Sequence, residues 1–301
     1  MKKITVQIQS ILYNNSIKDI ERSLDSMVCA IELCQRNEQY NLVVQLFYGD
    51  SSSFPVLSDE KFLELSNKYS GFLKLNYLFF DSNTGTAKGH NILAKDCDSQ
   101  YMLIMNPDVI FAPDVLSQLL SPFQMNKQVG MVEARQTPIE HPKDYDKFTG
   151  ETSWATTACV IFPKSIFDAL NGFDSDSFFM YYDDLDFSWR CRMLGYKVIY
   201  QPSAIIFHSK NLSNEGAWMP TSAEQYYSAE ASLIMAYKWS NPERLKIILD
   251  MFKASDDDTL NRAAKEFETR KEKKLLPLPL DPDHKIAEFV GDFYTKHRFI
   301  L

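Results

Sequence analysis

The chain has 301 residues, 45% of them hydrophobic and 24% charged, with a net charge of −8. That is enough apolar material for a full core, and the acidic balance lacks the basic footprint that nucleic-acid binding leaves. The last 61 residues hold twelve basic and twelve acidic side chains, so the acidic excess lies in the first 240, and an anionic ligand there needs a metal or backbone N–H groups to hold it.

In chain order, Ile4 to Leu12 reads as a strand, although Gln7 and Gln9 interrupt one of its faces. Ile17 to Arg36 has Ile20, Leu24, Met27, Val28 and Ile31 at helical spacing. Leu42 to Phe47 is a second strand, ended by Gly49-Asp50-Ser51-Ser52-Ser53. A helix over Asp59 to Tyr69, a strand over Leu73 to Phe79, a short helix over Thr86 to Ala94 and a strand over Tyr101 to Met105 follow. Pro113 suits the first position of a helix to Leu120, where its missing N–H costs nothing. Such alternation predicts an α/β fold with a mostly parallel wound sheet, whose ligands bind at the carboxyl ends of the strands.

After residue 210 the pattern turns helical. Ser222-Ala223-Glu224-Gln225 resembles a capping box opening a helix through Trp239. Helices are expected over Pro242 to Phe252 and Asp258 to Lys274, then a stiff Leu275–Pro282 spacer and a last helix over His284 to His297. Residues 1–210 read as the chemical domain and 211–301 as a helical appendage. Arg262 to Lys274 carries six basic and three acidic residues. A solvated helix face is the plain reading, and contact with an anionic membrane surface or a homodimer over residues 220–300 are the alternatives. The five cysteines, an odd number without a C-x-x-C pair, argue against a disulfide framework or zinc site and for a reducing compartment. The N-terminus lacks the apolar stretch of a signal peptide, and no window reaches the roughly 18 apolar residues of a spanning helix. A cytoplasmic protein is expected, with peripheral contact at the inner face of the cell membrane left open.

The strongest local signal is Phe178-Phe179-Met180-Tyr181-Tyr182-Asp183-Asp184-Leu185-Asp186. Clustered carboxylates repel one another and are costly to place beside aromatics unless a cation or a proton transfer uses them. A solvated helix N-terminus is the plain reading, and it accounts for Asp186. It accounts less well for Asp183 and Asp184, where the aromatics can raise a carboxyl pKa and stack on a sugar, so a general base is expected. Asn106-Pro107-Asp108 follows an apolar strand and aims Asp108 at the crevice. One carboxylate suffices for Mg²⁺ or Mn²⁺ when a diphosphate supplies further oxygens. His208 ends the apolar run Ala204–Phe207. It is either structural or a neutral imidazole in that metal shell. Asn83-Thr84-Gly85-Thr86-Ala87-Lys88-Gly89-His90-Asn91 is either a glycine-rich turn or a helix start that offers N–H groups to an anion. Trp154 is either a core anchor or a platform for a sugar ring.

These motifs together resemble family 2 glycosyltransferases of the GT-A fold, bacterial rhamnosyl- and galactofuranosyltransferases in particular, over residues 1–212. Tyr13-Asn14, the N-x-G-x-A-x-G-x-N segment Asn83–Asn91, Asn106-Pro107-Asp108-Val109, and the block Gly172-Phe173-Asp174, Phe178 to Arg190, Gly195-Tyr196 and His208 carry the likeness. Tyr48 stands where that family shows an aspartate, with Asp50 nearby, and only the last aspartate of the D-x-D motif is kept. The resemblance implies Asp184 as base and Asp108 and His208 as metal ligands. It implies Tyr13, Asn14, Asp50, Asn83, Gly85, Lys88, Asn91 and Asn106 at the nucleotide-sugar, and Trp154 and Asp183 at the donor sugar or acceptor. The implied reaction is an inverting, Mg²⁺- or Mn²⁺-dependent transfer of a rhamnose- or galactofuranose-type sugar from a dTDP- or UDP-linked donor. The implied acceptor is a saccharide hydroxyl of a growing O-antigen, capsule or lipid-linked oligosaccharide. Two rivals are a sugar nucleotidyltransferase, which would want a basic Gly-rich loop where Tyr13-Asn14-Asn15-Ser16 stands, and a silent carbohydrate- or partner-binding module, which would tolerate loss of the carboxylates.

Overall fold

A computed structural model describes residues 2–36, 40–208, 219–291 and 293–299. The first half runs β1 (Lys2–Leu12), α1 (Ile17–Arg36), β2 (Tyr40–Asp50), α2 (Asp59–Tyr69), β3 (Leu73–Phe79), α3 (Gly85–Leu93), β4 (Tyr101–Met105), β5 (Val109–Phe111) and α4 (Val115–Met125). It continues with β6 (Val129–Thr137), β7 (Glu151–Thr152), β8 (Cys159–Pro163), α5 (Lys164–Ala169), α6 (Asp183–Met193), β9 (Lys197–His208), α7 (Ser222–Lys238), α8 (Pro242–Ala254) and α9 (Asp258–Glu272).

The strands form one sheet in the order β3-β2-β1-β4-β8-β6-β9-β5, with β7 alongside β9. Strands β3, β2, β1 and β4 are parallel. β8 runs antiparallel to both β4 and β6, and β9 is parallel to β6. The sheet is therefore mixed and mostly parallel, the α/β architecture that the alternation predicts. Alternate β1 residues Ile4, Val6 and Ile8 join Leu42, Val44 and Leu46 in a core closed by Ile20, Leu24 and Met27 of α1. The opposite face of β1 explains its glutamines. Gln7 Nε2 donates to the Leu93 carbonyl at 2.9 Å, and Gln9 Oε1 meets His90 Nδ1 at 3.1 Å, so both tie α3 to the sheet.

Four expected elements differ. Helix α4 starts two residues after Pro113, at Val115, and continues past Leu120 through Pro122. The capping box of α7 is Thr221 with Glu224, one residue earlier than Ser222. Asp186 is fully buried rather than solvated. It pairs with Arg190 at 2.7 Å and Lys238 at 2.6 Å and accepts from the Trp239 indole at 3.1 Å. The described residues of 284–297 are not helical. The Asp281 carboxylate captures the amides of Lys285, Ile286 and Ala287 and bends the chain, so that Phe289 and Tyr294 can pack on Trp189.

Helices α7 to α9 do not build a separate core. Their apolar residues, among them Leu233, Met235, Trp239 and Phe267, close around Phe178, Leu185 and Trp189 from α6 and the turn before it. The basic run of α9 is partly spent within the molecule. Arg262 lies 3.6 Å from the Tyr226 ring centre, and Arg270 donates to the carbonyls of Asp176 and Ser177. Among the described residues no helix is long and apolar enough to cross a membrane.

Candidate active site

A cleft of about 1050 Å³ opens at the carboxyl ends of β1 and β4, where a wound sheet leaves room for a ligand. Its near wall is the turn after β1, with Asn14, Asn15 and Ser16, joined by Asn106 after β4. Asn14 takes a left-handed backbone, φ 55°, and its amide donates to Ser52 Oγ at 2.8 Å. Tyr13 is 55% exposed beside it, outside the cleft lining.

Pairing between β5 and β9 assembles the next part. Val109 sits opposite His208, so Asp108, one residue before the strand, comes 3.4 Å from His208 Nε2. Gln136 Nε2 donates to Thr156 Oγ1 at 3.0 Å, which turns its carbonyl oxygen to His208 Nδ1 at 2.9 Å. Nδ1 therefore carries the imidazole proton, and Nε2 presents a lone pair, to which Asn106 Nδ2 comes within 3.1 Å. Nε2 thus has the Asn106 amide and the Asp108 carboxylate as its two neighbours, and a divalent cation could take the place of the amide between the imidazole and the carboxylate. Among the described residues no cluster of three or more His, Cys, Asp or Glu is placed to hold a metal. Asp108 and His208 could offer two ligands to a hard cation that takes its other oxygens from a diphosphate.

The start of α6 supplies the carboxylates. Tyr181 and Tyr182 both have positive φ, 66° and 61°, a strained turn that swings Asp183 and Asp184 into the cleft lining. Asp183 is 3% exposed and accepts from Thr86 Oγ1 at 3.1 Å. Burial, and then the charge of Asp184, push its pKa up to about 7. Asp184 is half-buried and accepts from the amides of Leu185 at 2.8 Å and Thr157 at 3.4 Å. Burial raises its pKa too, while the Leu185 amide and the Lys143 ammonium pull against the rise.

The far wall combines Trp154, His141, Lys143 and the segment from Phe293 to His297. That segment is held by a bridge between Lys143 and His297 and by the Asp144 amide donating to the Lys296 carbonyl at 2.9 Å. Trp154 is half-buried, 5.3 Å from the His141 ring, with its indole N–H unpartnered.

Thus Asn14, Asn106, Asp108, Trp154, Asp183, Asp184 and His208 share one cleft, and several expected residues lie elsewhere. Asp50 is fully buried. It holds its own turn by accepting from Ser52 N, Val56 N and Tyr77 Oη, and it is spent on that structural work. The Asn83–Asn91 segment does not present an anion site. The Gly85 amide goes to Asn83 Oδ1 and the Thr86 amide to the Phe179 carbonyl. Gly85 has φ +68°, and a Cβ there would run into that carbonyl. Asn91 exchanges hydrogen bonds with the backbone of Phe173 at 2.8 and 2.9 Å, and Lys88 is exposed away from the lining. Only Thr86 of this segment reaches the cleft, so its main task is to brace the turn that leads into Asp183. Lys143, Glu133, Gln136 and Phe293 to His297 carried no motif that singles them out. An isolated lysine gives no spacing signal, and their proximity is a product of the fold.

The family model of glycosyl transferase family 2 matches residues 11–187, more than half of the chain. No curated protein matches the chain in sequence. Among solved structures, it is similar to the mannosyltransferase PcManGT from Pyrobaculum calidifontis in complex with GDP-Man and Mn²⁺, at 16% identity and TM-score 0.55. The match covers 90% of this chain and 81% of that one. GalNAc-T7 with UDP, GalNAc and Mn²⁺ aligns at 12% identity and TM-score 0.59, over 90% of this chain and 55% of that one. S. aureus TarS, residues 1–349 with UDP, aligns at 13% identity and TM-score 0.51, over 91% and 72%. At these identities the structural likeness is one of fold.

Proposed function

We propose how this chain, which belongs to glycosyl transferase family 2 and is a nucleotide-sugar-dependent glycosyltransferase, carries out its transfer. Asp184 is the general base. It takes the proton of an acceptor hydroxyl as that oxygen bonds to the anomeric carbon, and the nucleoside diphosphate leaves from the opposite face with inversion. The observation that carries this reading is the convergence of Asp108, His208 and Asp184 on one cleft from three distant stretches of chain. Asp184 suits the role better than Asp183 because it is the more accessible of the two, while burial raises the basicity of both. Asp108 and His208 would hold Mg²⁺ or Mn²⁺, which supplies positive charge to the departing diphosphate. Asn14 and Asn106 line the donor side, and Trp154 offers a ring to the sugar or acceptor. A dTDP- or UDP-linked donor, a rhamnose- or galactofuranose-type sugar, and a surface-polysaccharide or lipid-linked acceptor rest on the motif resemblance. The presence of UDP in two of the similar structures and Mn²⁺ in two of them accords with the donor and metal classes.

The test is calorimetric titration of UDP-, dTDP- and GDP-sugars with and without Mn²⁺, followed by turnover with the best donor. Asp184→Asn should keep donor binding and lose ~10²–10⁴ in turnover. Chelation with EDTA should stop transfer, and Mn²⁺ should restore it. Near-normal turnover of Asp184→Asn, or transfer indifferent to EDTA, refutes the respective assignment.

A further inference from the structure

Glu133 on β6 and Lys143 form an ion pair that is almost wholly buried, at 2% and 4% exposure. Burying a charge pair is expensive unless its remaining hydrogen-bonding capacity is used. Here it is used by the loop from Trp154 to Thr157. Lys143 Nζ donates to the Trp154 carbonyl at 2.7 Å and lies 4.1 Å from the centre of the Trp154 ring. The Thr156 backbone favours the ionised form of Glu133, and Gln136, also on β6, donates from Nε2 to the Thr156 hydroxyl at 3.0 Å. The next amide, Thr157 N–H, donates to Asp184. One short loop is therefore held by Lys143 at its first residue and by Gln136 at its third, and meets the carboxylate of α6 with its fourth. The same lysine backbone bridges to His297, so the Phe293–His297 wall is fixed to it as well.

We infer that Lys143 is a positioning residue: paired with Glu133, it fixes the Trp154–Thr157 loop so that the Thr157 amide and its own charge together hold Asp184 ready as a base. The inference rests on the assignment of Asp184 above and adds a residue that acts through it. Several groups face Asp184. Asp183 is on its own helix, the Tyr181 and Tyr182 phenols come from the preceding turn, Glu133 comes from β6, and Lys143 comes from the loop before β7. Asp183 and Glu133 oppose ionisation of Asp184, and Lys143 is the cation that acts most strongly in its favour. Arg298 bears on Lys143 itself and is taken up by Glu140.

The sign of the effect follows. Loss of the Lys143 charge disfavours the Asp184 carboxylate, so the pH at which it is half-protonated rises. Asp184 can be followed directly by NMR titration of protein labelled with ¹³C at aspartate carboxyls, its signal assigned by Asp184→Asn. Lys143→Met should raise that pH by about one unit, the low end of the shift that an opposite charge produces. Lys143→Arg, which keeps the charge, should restore most of it. Where Lys143→Met alone leaves Glu133 uncompensated and misfolds, the paired variant E133Q/K143M removes both charges and keeps the fold. Its Asp184 should shift in the same direction by less. With a donor identified, the acid limb of the turnover profile should move with the NMR value while the nucleotide Kd stays unchanged. An Asp184 that titrates as in wild type, or shifts downward, in both Lys143 variants lacking the charge overturns the inference. The NMR reading needs no donor, so a protein that binds no nucleotide sugar would refute the proposed activity and leave this result standing or falling by itself.

Discussion

Asp183 should make this fold lose stability as pH rises through neutrality. Its carboxyl is 3% exposed, beside Asp184, with the Thr86 hydroxyl as hydrogen-bond donor. Burial and that neighbour raise its pKa from 3.8 to about 7. The native state therefore holds a proton that the unfolded chain has already released. Its contribution is fully present below pH 3.8 and is lost progressively until about pH 7. At roughly 1.4 kcal/mol per pH unit, the passage from pH 5 to pH 8 removes about 3 kcal/mol. Asp183→Asn keeps a partner for Thr86 and cannot ionise. Urea unfolding at pH 5 and pH 8, followed by tryptophan fluorescence, measures the difference for Asp183 together with the Asp184 carboxyl coupled to it, because titrating groups remote from this pair change both proteins alike. Wild type should lose about 3 kcal/mol more than the variant over this interval. Parallel losses in the two proteins would show that Asp183 is ionised in the native state throughout, and that the turn before α6 does not desolvate it.

Three further outcomes follow from contacts elsewhere. Gln136→Leu should weaken Mn²⁺ affinity by ~10–100-fold, since it frees the His208 tautomer without touching a ligand. Calorimetric titration of Mn²⁺ in the presence of nucleotide reads it. Lys238→Ala should cost about 1.5–3 kcal/mol in urea unfolding, because it leaves the fully buried Asp186 carboxylate to Arg190 and the Trp239 indole and removes the 2.7 Å bond to Asp174. Gly85→Ala should destabilise by about 1–3 kcal/mol through its positive φ and the clash with the Phe179 carbonyl. Ala at Gly71, with normal φ and open space around it, serves as the neutral control in the same assay.

Much of the sheet was legible because its signals are local. Strand β3 and helices α1 and α2 fall where their apolar spacing puts them, and β1, β2 and β4 follow the same runs. The misreadings arose where a distant partner outbids a local preference. Residues 284–297 have helical composition, yet one carboxylate at Asp281 takes three of their amides and Trp189 takes their rings. Gln7 and Gln9 look like faults in a strand until α3 lies across them with a carbonyl and an imidazole to satisfy.

The site shows the same division at a finer scale. The residue types of the proposed metal-assisted transfer can be read in sequence, since Asp108, Asp184 and His208 each sit at the end of a recognisable element. Their meeting cannot, because it depends on β5 pairing with β9 in the register that sets Val109 against His208. A shift of that register by a single residue would turn the imidazole to the other face of the strand. The glycine segment shows the converse. Its pattern is conspicuous, and its most direct work is to carry the Phe179 carbonyl and the Asp183 carboxylate through Thr86. A small-residue helix start can serve a ligand through its own amides, or it can serve by letting another segment of the chain approach closely. In this fold Gly85 does the second, because the backbone that comes near it belongs to the protein itself.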